Sequence, residues 1–98
     1  MEISQIKQKI QEKWPNDYTQ EHTLNVTLED IEKFSNTLRI EFEKFLETGE
    51  LPKTEVEGWN FEKLIKEKSL HPVGAFIMFD WLQREPEKAR GALERGFR

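Results

Sequence analysis

The sequence predicts an all-α protein, a compact bundle of about five unequal helices around a central apolar helix at residues 72–84. Apolar residues recur three and four positions apart in several segments, which is the period of an amphipathic helix. Prolines, glycines and cap-forming side chains stand at the ends of those segments, where helices start and stop. Because 98 residues are enough for one domain, we expect a single helical domain over residues 1–98.

The first helix is expected over residues 3–14. Its apolar side chains fall on one face and are Ile3, Ile6, Ile10 and Trp14. Residues 15–26 open with the turn formers Pro15 and Asn16 and then alternate briefly between polar and apolar side chains. A short edge strand there would have no partner and would be unstable, so we interpret residues 15–26 as a loop.

The longest helix is expected over residues 27–47, as one rod of about 30 Å. Thr27 is a natural N-cap for it, and acidic residues follow in the first turn. Its apolar stripe consists of Leu28, Ile31, Phe34, Leu38, Phe42, Phe45 and Leu46. Gly49 and Pro52 end this helix, since glycine readily adopts the left-handed conformation at a helix end and proline cannot continue a helix.

Three shorter helices are expected in the second half of the chain. Asn60 is the predicted N-cap of the first, and its inward residues are Phe61, Leu64 and Ile65. Pro72 suits the first position of the next helix, residues 72–84, which is apolar around most of its circumference and therefore central. Pro86 begins the last helix. The inner face of that helix is expected to consist of Ala89, Ala92, Leu93 and Phe97.

The residue types argue against several kinds of catalysis. The chain has no cysteine, which excludes disulfides, thiolate metal sites and a cysteine nucleophile. No serine lies in a Gly-x-Ser-x-Gly motif, and the five glycines are too scattered for a phosphate-binding loop. We therefore expect no catalytic residue, no enzyme activity and no cofactor. The N-terminal segment has no apolar signal region, so we expect a cytoplasmic protein without a membrane partner.

Two polar residues stand in or beside the most apolar helix. Asp80 lies one helical turn before Arg84, so we interpret the two as an ion pair. His71 directly precedes Pro72, and its ring can either cap the helix or pair with Glu67. A small-ligand or metal site around His71 is the weaker alternative, because useful metal sites need three or four ligands. We expect no metal site.

The main functional signal is the acidic charge of the expected long helix. Residues 27–50 carry seven acidic and three basic side chains, a net charge of −4. Such a surface attracts a basic partner over a long range, and tryptophans are frequent anchors at protein interfaces. We therefore predict a small protein–protein interaction module, such as an adaptor, an accessory subunit or an inhibitor of antitoxin or immunity type. The predicted partner-binding residues are Glu41, Glu43, Glu47, Trp14 and Trp59.

The expected partner is another protein with a basic surface, or a second copy of the chain. Seven Phe and three Trp exceed what so short a chain readily buries alone, which favours a homodimer as the second form of partner.

The basic C-terminal segment supports an alternative function, a contact with nucleic acid. The candidate residues are Arg84, Lys88, Arg90, Arg95 and Arg98. Against this alternative, residues 1–50 carry six basic and eleven acidic side chains, a net charge of −5, which repels phosphate. We therefore expect nucleic acid to be a less favoured partner than protein.

Overall fold

The computed structural model describes residues 1–95, and within them it contains six α-helices and no strand. The helices are α1 (Ile3–Lys13), α2 (Glu21–Glu32), α3 (Asn36–Thr48), α4 (Phe61–Lys68), α5 (Pro72–Arg84) and α6 (Pro86–Arg95). The all-α prediction is confirmed, with one helix more than expected. Four of the six helices begin within about two residues of their expected positions, which is the usual uncertainty of a helix boundary.

The chain divides into two compact units, Met1–Glu50 and a second unit that begins at Leu51. The first unit holds α1, α2 and α3, and the second holds α4, α5 and α6. The expectation of a single domain over residues 1–98 stays a prediction.

In the first unit, α1 packs against both α2 and α3. Ile6 and Ile10 of α1 are fully buried, in agreement with the predicted apolar face. The buried residues of α2 and α3 include Leu24, Leu28, Ile31, Leu38, Phe42, Phe45 and Leu46. Just beyond α1, the Trp14 ring stacks on Phe45 with 6.1 Å between the ring centroids. The long apolar side chains of three helices therefore form the core of this unit.

The expected single helix over residues 27–47 is wrong, because the chain breaks at Phe34 and Ser35. Ser35 has extended backbone angles, φ −61° and ψ 160°, and its hydroxyl accepts a hydrogen bond from the Leu38 N–H at 3.2 Å. This side chain supplies the acceptor that the first turn of α3 lacks, which favours a new helix start over continuation of α2. Phe34 is buried within the break, and its ring meets Phe42 edge to face.

The interpretation of residues 15–26 as a loop is wrong from Glu21 onward, where α2 begins. Thr27 is consequently not an N-cap. It lies inside α2, nearly buried, and its hydroxyl donates to the Thr23 carbonyl at 2.9 Å. Leu24 lies one turn before Leu28, so the helical period starts earlier than the local alternation suggests.

In the second unit, α5 packs against both α4 and α6, the central position within this unit that its apolar circumference predicts. The Phe61 ring of α4 lies 4.5 Å from the Phe76 ring and 4.5 Å from the Phe79 ring of α5. The buried residues of α5 are Val73, Ala75, Phe76, Met78, Phe79, Asp80 and Leu82. In α6, Ala89 and Leu93 are buried as expected, whereas the predicted core residue Phe97 lies outside the described residues.

The predicted helix boundaries of the second unit are confirmed. The Asn60 side chain accepts a hydrogen bond from the Lys63 N–H at 2.9 Å and caps α4. The Nδ1 atom of His71 accepts one from the Val73 N–H at 3.2 Å and caps α5, whose first residue is Pro72. These caps satisfy N–H groups that a helix cannot satisfy internally.

Replacing Ser35 with alanine tests the break between α2 and α3. Loss of the cap should lower the free energy of unfolding by about 1 kcal/mol, measured by urea unfolding followed by circular dichroism. In a continuous helix the same change would raise it by about 0.5 kcal/mol, because alanine has the higher helix propensity. Ser4→Ala, on the exposed face of α1, is the control and should shift stability by less than about 0.5 kcal/mol. An increase with Ser35→Ala would contradict the break.

Candidate functional site

The outward face of α3 exposes a large aliphatic side chain. Ile40 is 67% exposed, whereas every other apolar residue of α3 is buried. Residues four and seven positions further along a helix lie on the same face, so Lys44 and Glu47 share the outward face with Ile40. Glu41, next in sequence, stands at the edge of this surface. We name the four residues Ile40, Glu41, Lys44 and Glu47 the α3 face.

Glu43 has a different environment from the other predicted acidic contacts. Its Oε1 lies 3.2 Å from the amino group of Met1, and its Oε2 lies 3.3 Å from Nε of Arg39. Arg39 also donates a hydrogen bond to the Met1 carbonyl at 3.1 Å. The carboxylate of Glu43 is only 24% exposed, so it joins the start of the chain to α3 rather than facing outward. Sequence reasoning missed this role, because composition does not show which cation a carboxylate meets.

Glu41 and Glu47 have no ion-pair partner among residues 1–95. Glu47 is exposed and Glu41 is half-buried. The one cation on the α3 face, Lys44, lies 3.4 Å from a Glu50 carboxylate oxygen. The α3 face therefore combines an exposed aliphatic side chain with two carboxylates that no cation in the described chain neutralises.

The predicted contact residue Trp14 is half-buried and packs within its own unit. Its ring stacks on Phe45, and Nζ of Lys13 lies 6.0 Å from the centroid of the same Phe45 ring. The indole therefore packs the end of α1 against α3, and only part of its surface is exposed to solvent.

Trp59, the other predicted tryptophan contact, is held at the end of a tight turn. Val56 and Trp59 exchange two backbone hydrogen bonds of 2.9 Å, and the residues between them are Glu57 and Gly58. Both intervening residues have positive φ, 53° and 80°, which is the conformation of a two-residue hairpin turn and explains the glycine.

The Trp59 ring is half-buried and has two ammonium groups near it. Nζ of Lys63 lies 5.1 Å and Nζ of Lys68 lies 5.7 Å from the ring centroid, within the range of cation–π attraction. Nζ of Lys63 also donates to the Gly58 carbonyl at 3.2 Å, which holds the lysine against the turn. These contacts give Trp59 a role in its own unit, and its contact with a partner stays a prediction.

The second unit contains an open groove of about 480 Å³ that sequence reasoning did not anticipate. Its apolar lining consists of Leu51, Pro52, Phe61 and Ile65. The polar residues around it are Lys53, Asn60, Glu62 and Lys66. Leu51, Pro52 and Ile65 are half-buried, so their apolar surface is accessible. No local pattern reveals the groove, because a connector and a helix that follows it bring its residues together.

The charge around the groove is weakly positive. Oε1 of Glu62 lies 2.7 Å from Nζ of Lys66, and this hydrogen bond lowers the pKa of Glu62 and raises the pKa of Lys66. Both side chains are more than 70% exposed, so the pair contributes little to stability and can exchange partners. Lys53 has no ion-pair partner within the described part of the chain.

The basic residues of the C-terminal segment are largely paired with acidic ones. The pairs are Arg84 with Asp80 at 2.9 Å, Lys88 with Glu85 at 3.1 Å and Arg90 with Glu57 at 2.9 Å. The Arg95 guanidinium lies over Gly91, where a Cβ would come within 3.1 Å of it. Arg98 lies outside the described residues. Local pairing reduces the positive charge that this segment offers to a phosphate backbone.

The predicted pairing of Asp80 is confirmed, and of the two roles expected for His71 the structure shows the cap. Asp80 is 4% exposed and accepts a hydrogen bond from Nε of Arg84 at 2.9 Å. His71 uses Nδ1 to cap α5. Residues 1–95 contain no group of three or more His, Cys, Asp or Glu side chains placed to hold a metal ion.

No family model, curated protein or solved structure matches this chain. In residues 1–95, no helix has the length and apolar character needed to cross a membrane.

Replacing Arg84 with methionine tests the buried carboxylate. The change keeps the apolar stem and leaves Asp80 buried without its cation, so the free energy of unfolding should fall by about 2 kcal/mol. Lys88→Met removes an exposed pair and should cost less than about 0.5 kcal/mol. Adding Asp80→Asn to Arg84→Met should recover part of the loss, because no charge then remains buried. Equal losses for the two single variants would contradict a buried pair.

A carboxyl NMR titration tests the pair beside the groove. The pKa of Glu62 should lie below its ordinary value of 4.5, because Lys66 stabilises the charged form. Lys66→Gln should return the pKa of Glu62 to the ordinary range, whereas Lys63→Gln should leave it low. If Lys66→Gln leaves the pKa unchanged, the hydrogen bond between the two side chains is not the cause.

Proposed function

We propose that this protein is a protein–protein interaction module, an adaptor, inhibitor or accessory subunit, whose α3 face binds a partner with a basic surface. The observation that carries the proposal is Ile40, 67% exposed beside two carboxylates that pair with no cation of residues 1–95. We place the protein in the cytoplasm and assign it neither catalysis nor a cofactor.

The α3 face combines the two kinds of contact that a specific interface uses. An aliphatic side chain that enters a pocket on a partner loses its water shell and supplies affinity. Carboxylates around it attract cations during approach and repel acidic competitors, which supplies speed and specificity. Glu41 and Glu47 are free to do this because neither is neutralised within the described chain.

The net negative charge of residues 1–50 adds to the attraction between the α3 face and a basic partner. Residues 1–50 carry a net charge of −5, and Glu29 and Glu32 on α2 are exposed. A field of one sign steers a basic partner from beyond contact distance and weakens as salt is added. The complementary partner is a surface where lysine or arginine side chains surround an apolar pocket.

Affinity capture with charge-reversed variants tests the proposal. Tagged wild-type protein should recover a protein from nuclease-treated lysate of its source organism, and Glu41→Lys/Glu47→Lys should recover at least about tenfold less. Glu12→Lys/Glu94→Lys makes the same change in net charge on other helices and should capture the partner as the wild type does.

Two results would contradict the assignment. Capture that disappears with nuclease would replace the protein partner with a nucleic acid. Equal capture by the wild type and both double variants would show that the α3 face is not the contact surface. Circular dichroism of each variant separates loss of contact from loss of fold.

A further inference from the structure

The α3 face and the groove of the second unit have complementary chemistry. We propose that the α3 face of one copy docks into the groove of a second copy of this chain. This proposal rests on the proposed function, because it assigns a partner to the same α3 face. The groove is the one lined by Leu51, Pro52, Phe61 and Ile65 and bordered by Lys53 and Lys66.

The apolar parts of the two surfaces are alike in kind. Ile40 projects from the middle of α3 with 67% of its surface exposed. The groove has a volume of about 480 Å³, which is more than enough to admit one isoleucine side chain, and three of its apolar residues are only half-buried. Insertion of Ile40 would remove aliphatic surface from water on both copies.

The charges of the two surfaces are opposite. Glu41 and Glu47 both lie on the C-terminal side of Ile40 and are about 9 Å apart along the helix axis, by the rise of 1.5 Å per residue. Lys53 and Lys66 border the groove, and Lys53 has no acidic partner in the described chain. Lys66 is held by Glu62, but that exposed pair is weak and its lysine can turn to a carboxylate of another copy.

A second copy is the occupant that the local charges favour. The whole chain carries a net charge of −4, so attraction between copies comes from the face and the groove themselves, where Glu41 and Glu47 of one copy meet Lys53 and Lys66 of the other. Each copy offers one face and one groove. The proposed dimer uses each face and each groove once and so makes the contact twice, which matters because one helix face in one groove buries less than about 1,000 Å².

Sedimentation equilibrium of the pure protein over a range of concentrations tests the contact. The wild-type mass should rise above that of a monomer as concentration increases. Ile40→Ser should weaken association at least about tenfold without changing the unfolding midpoint, because the side chain is exposed in the monomer.

A charge exchange between the surfaces makes the test specific. Glu41→Lys/Glu47→Lys reverses the face and Lys53→Glu/Lys66→Glu reverses the groove, and each variant alone should associate at least about tenfold more weakly than the wild type. An equimolar mixture of the two should associate as strongly as the wild type, since every face then meets a groove of opposite charge.

A matched mixture excludes a general effect of net charge. Glu12→Lys/Glu94→Lys has the same net charge as the face-reversed variant and keeps the wild-type face. It should self-associate as the wild type does, and it should not restore full association of the groove-reversed variant. Restoration by this control would contradict the assigned contact.

The remaining outcomes separate this inference from the proposed function. A wild type that stays monomeric at every concentration would overturn self-docking. Capture from lysate that still depends on Glu41 and Glu47 would then leave the proposed function standing with another partner. A change in the dimensions of the monomer that depends on the charge reversals but not on protein concentration would place the contact within one chain. This result would also overturn the proposal.

Discussion

The arrangement of the first unit depends on the break at Ser35, whose hydroxyl accepts a hydrogen bond from the Leu38 N–H. α3 starts at this cap after three intervening residues, so that one apolar stripe is divided between two helices. Because α1 packs against both α2 and α3, buried side chains of three helices form the core of the unit. A continuous rod would have carried the same apolar stripe along one line.

Much of the second unit could be predicted from sequence because its boundaries are local. Asn60, His71 and Pro72 sit where helix starts require a side-chain acceptor or a fixed φ, and those requirements are read from a few neighbouring residues. The break at Ser35 could not be predicted in the same way. The apolar spacing of three and four runs on through it, since a short interruption preserves the phase of the pattern.

The candidate site shows a second limit of sequence reasoning. Counting charges identified an acidic segment and a basic segment, but it could not tell which charges were already paired. Glu43 proved to be engaged by Met1 and Arg39, whereas Glu47 faces outward without a cation in the described chain. Arg84 and Arg90 are likewise paired. Net charge therefore overstates the charge that each surface offers to a partner. The charge that remains for binding depends on which opposite charges lie near each group in space.

Small size makes partner binding and stability parts of one problem. A chain of 98 residues buries a smaller fraction of its surface than a larger protein does, and it retains little stability to spare. Any molecule that binds only the folded state adds to that stability in proportion to the logarithm of its concentration over its dissociation constant. An exposed Ile40 on α3 costs the monomer almost nothing, because an isolated aliphatic side chain on a surface is common. Burial of this side chain lowers the free energy only when a groove covers it. The chain carries both the exposed aliphatic side chain and a lysine-bordered groove, which are the two halves of such a contact.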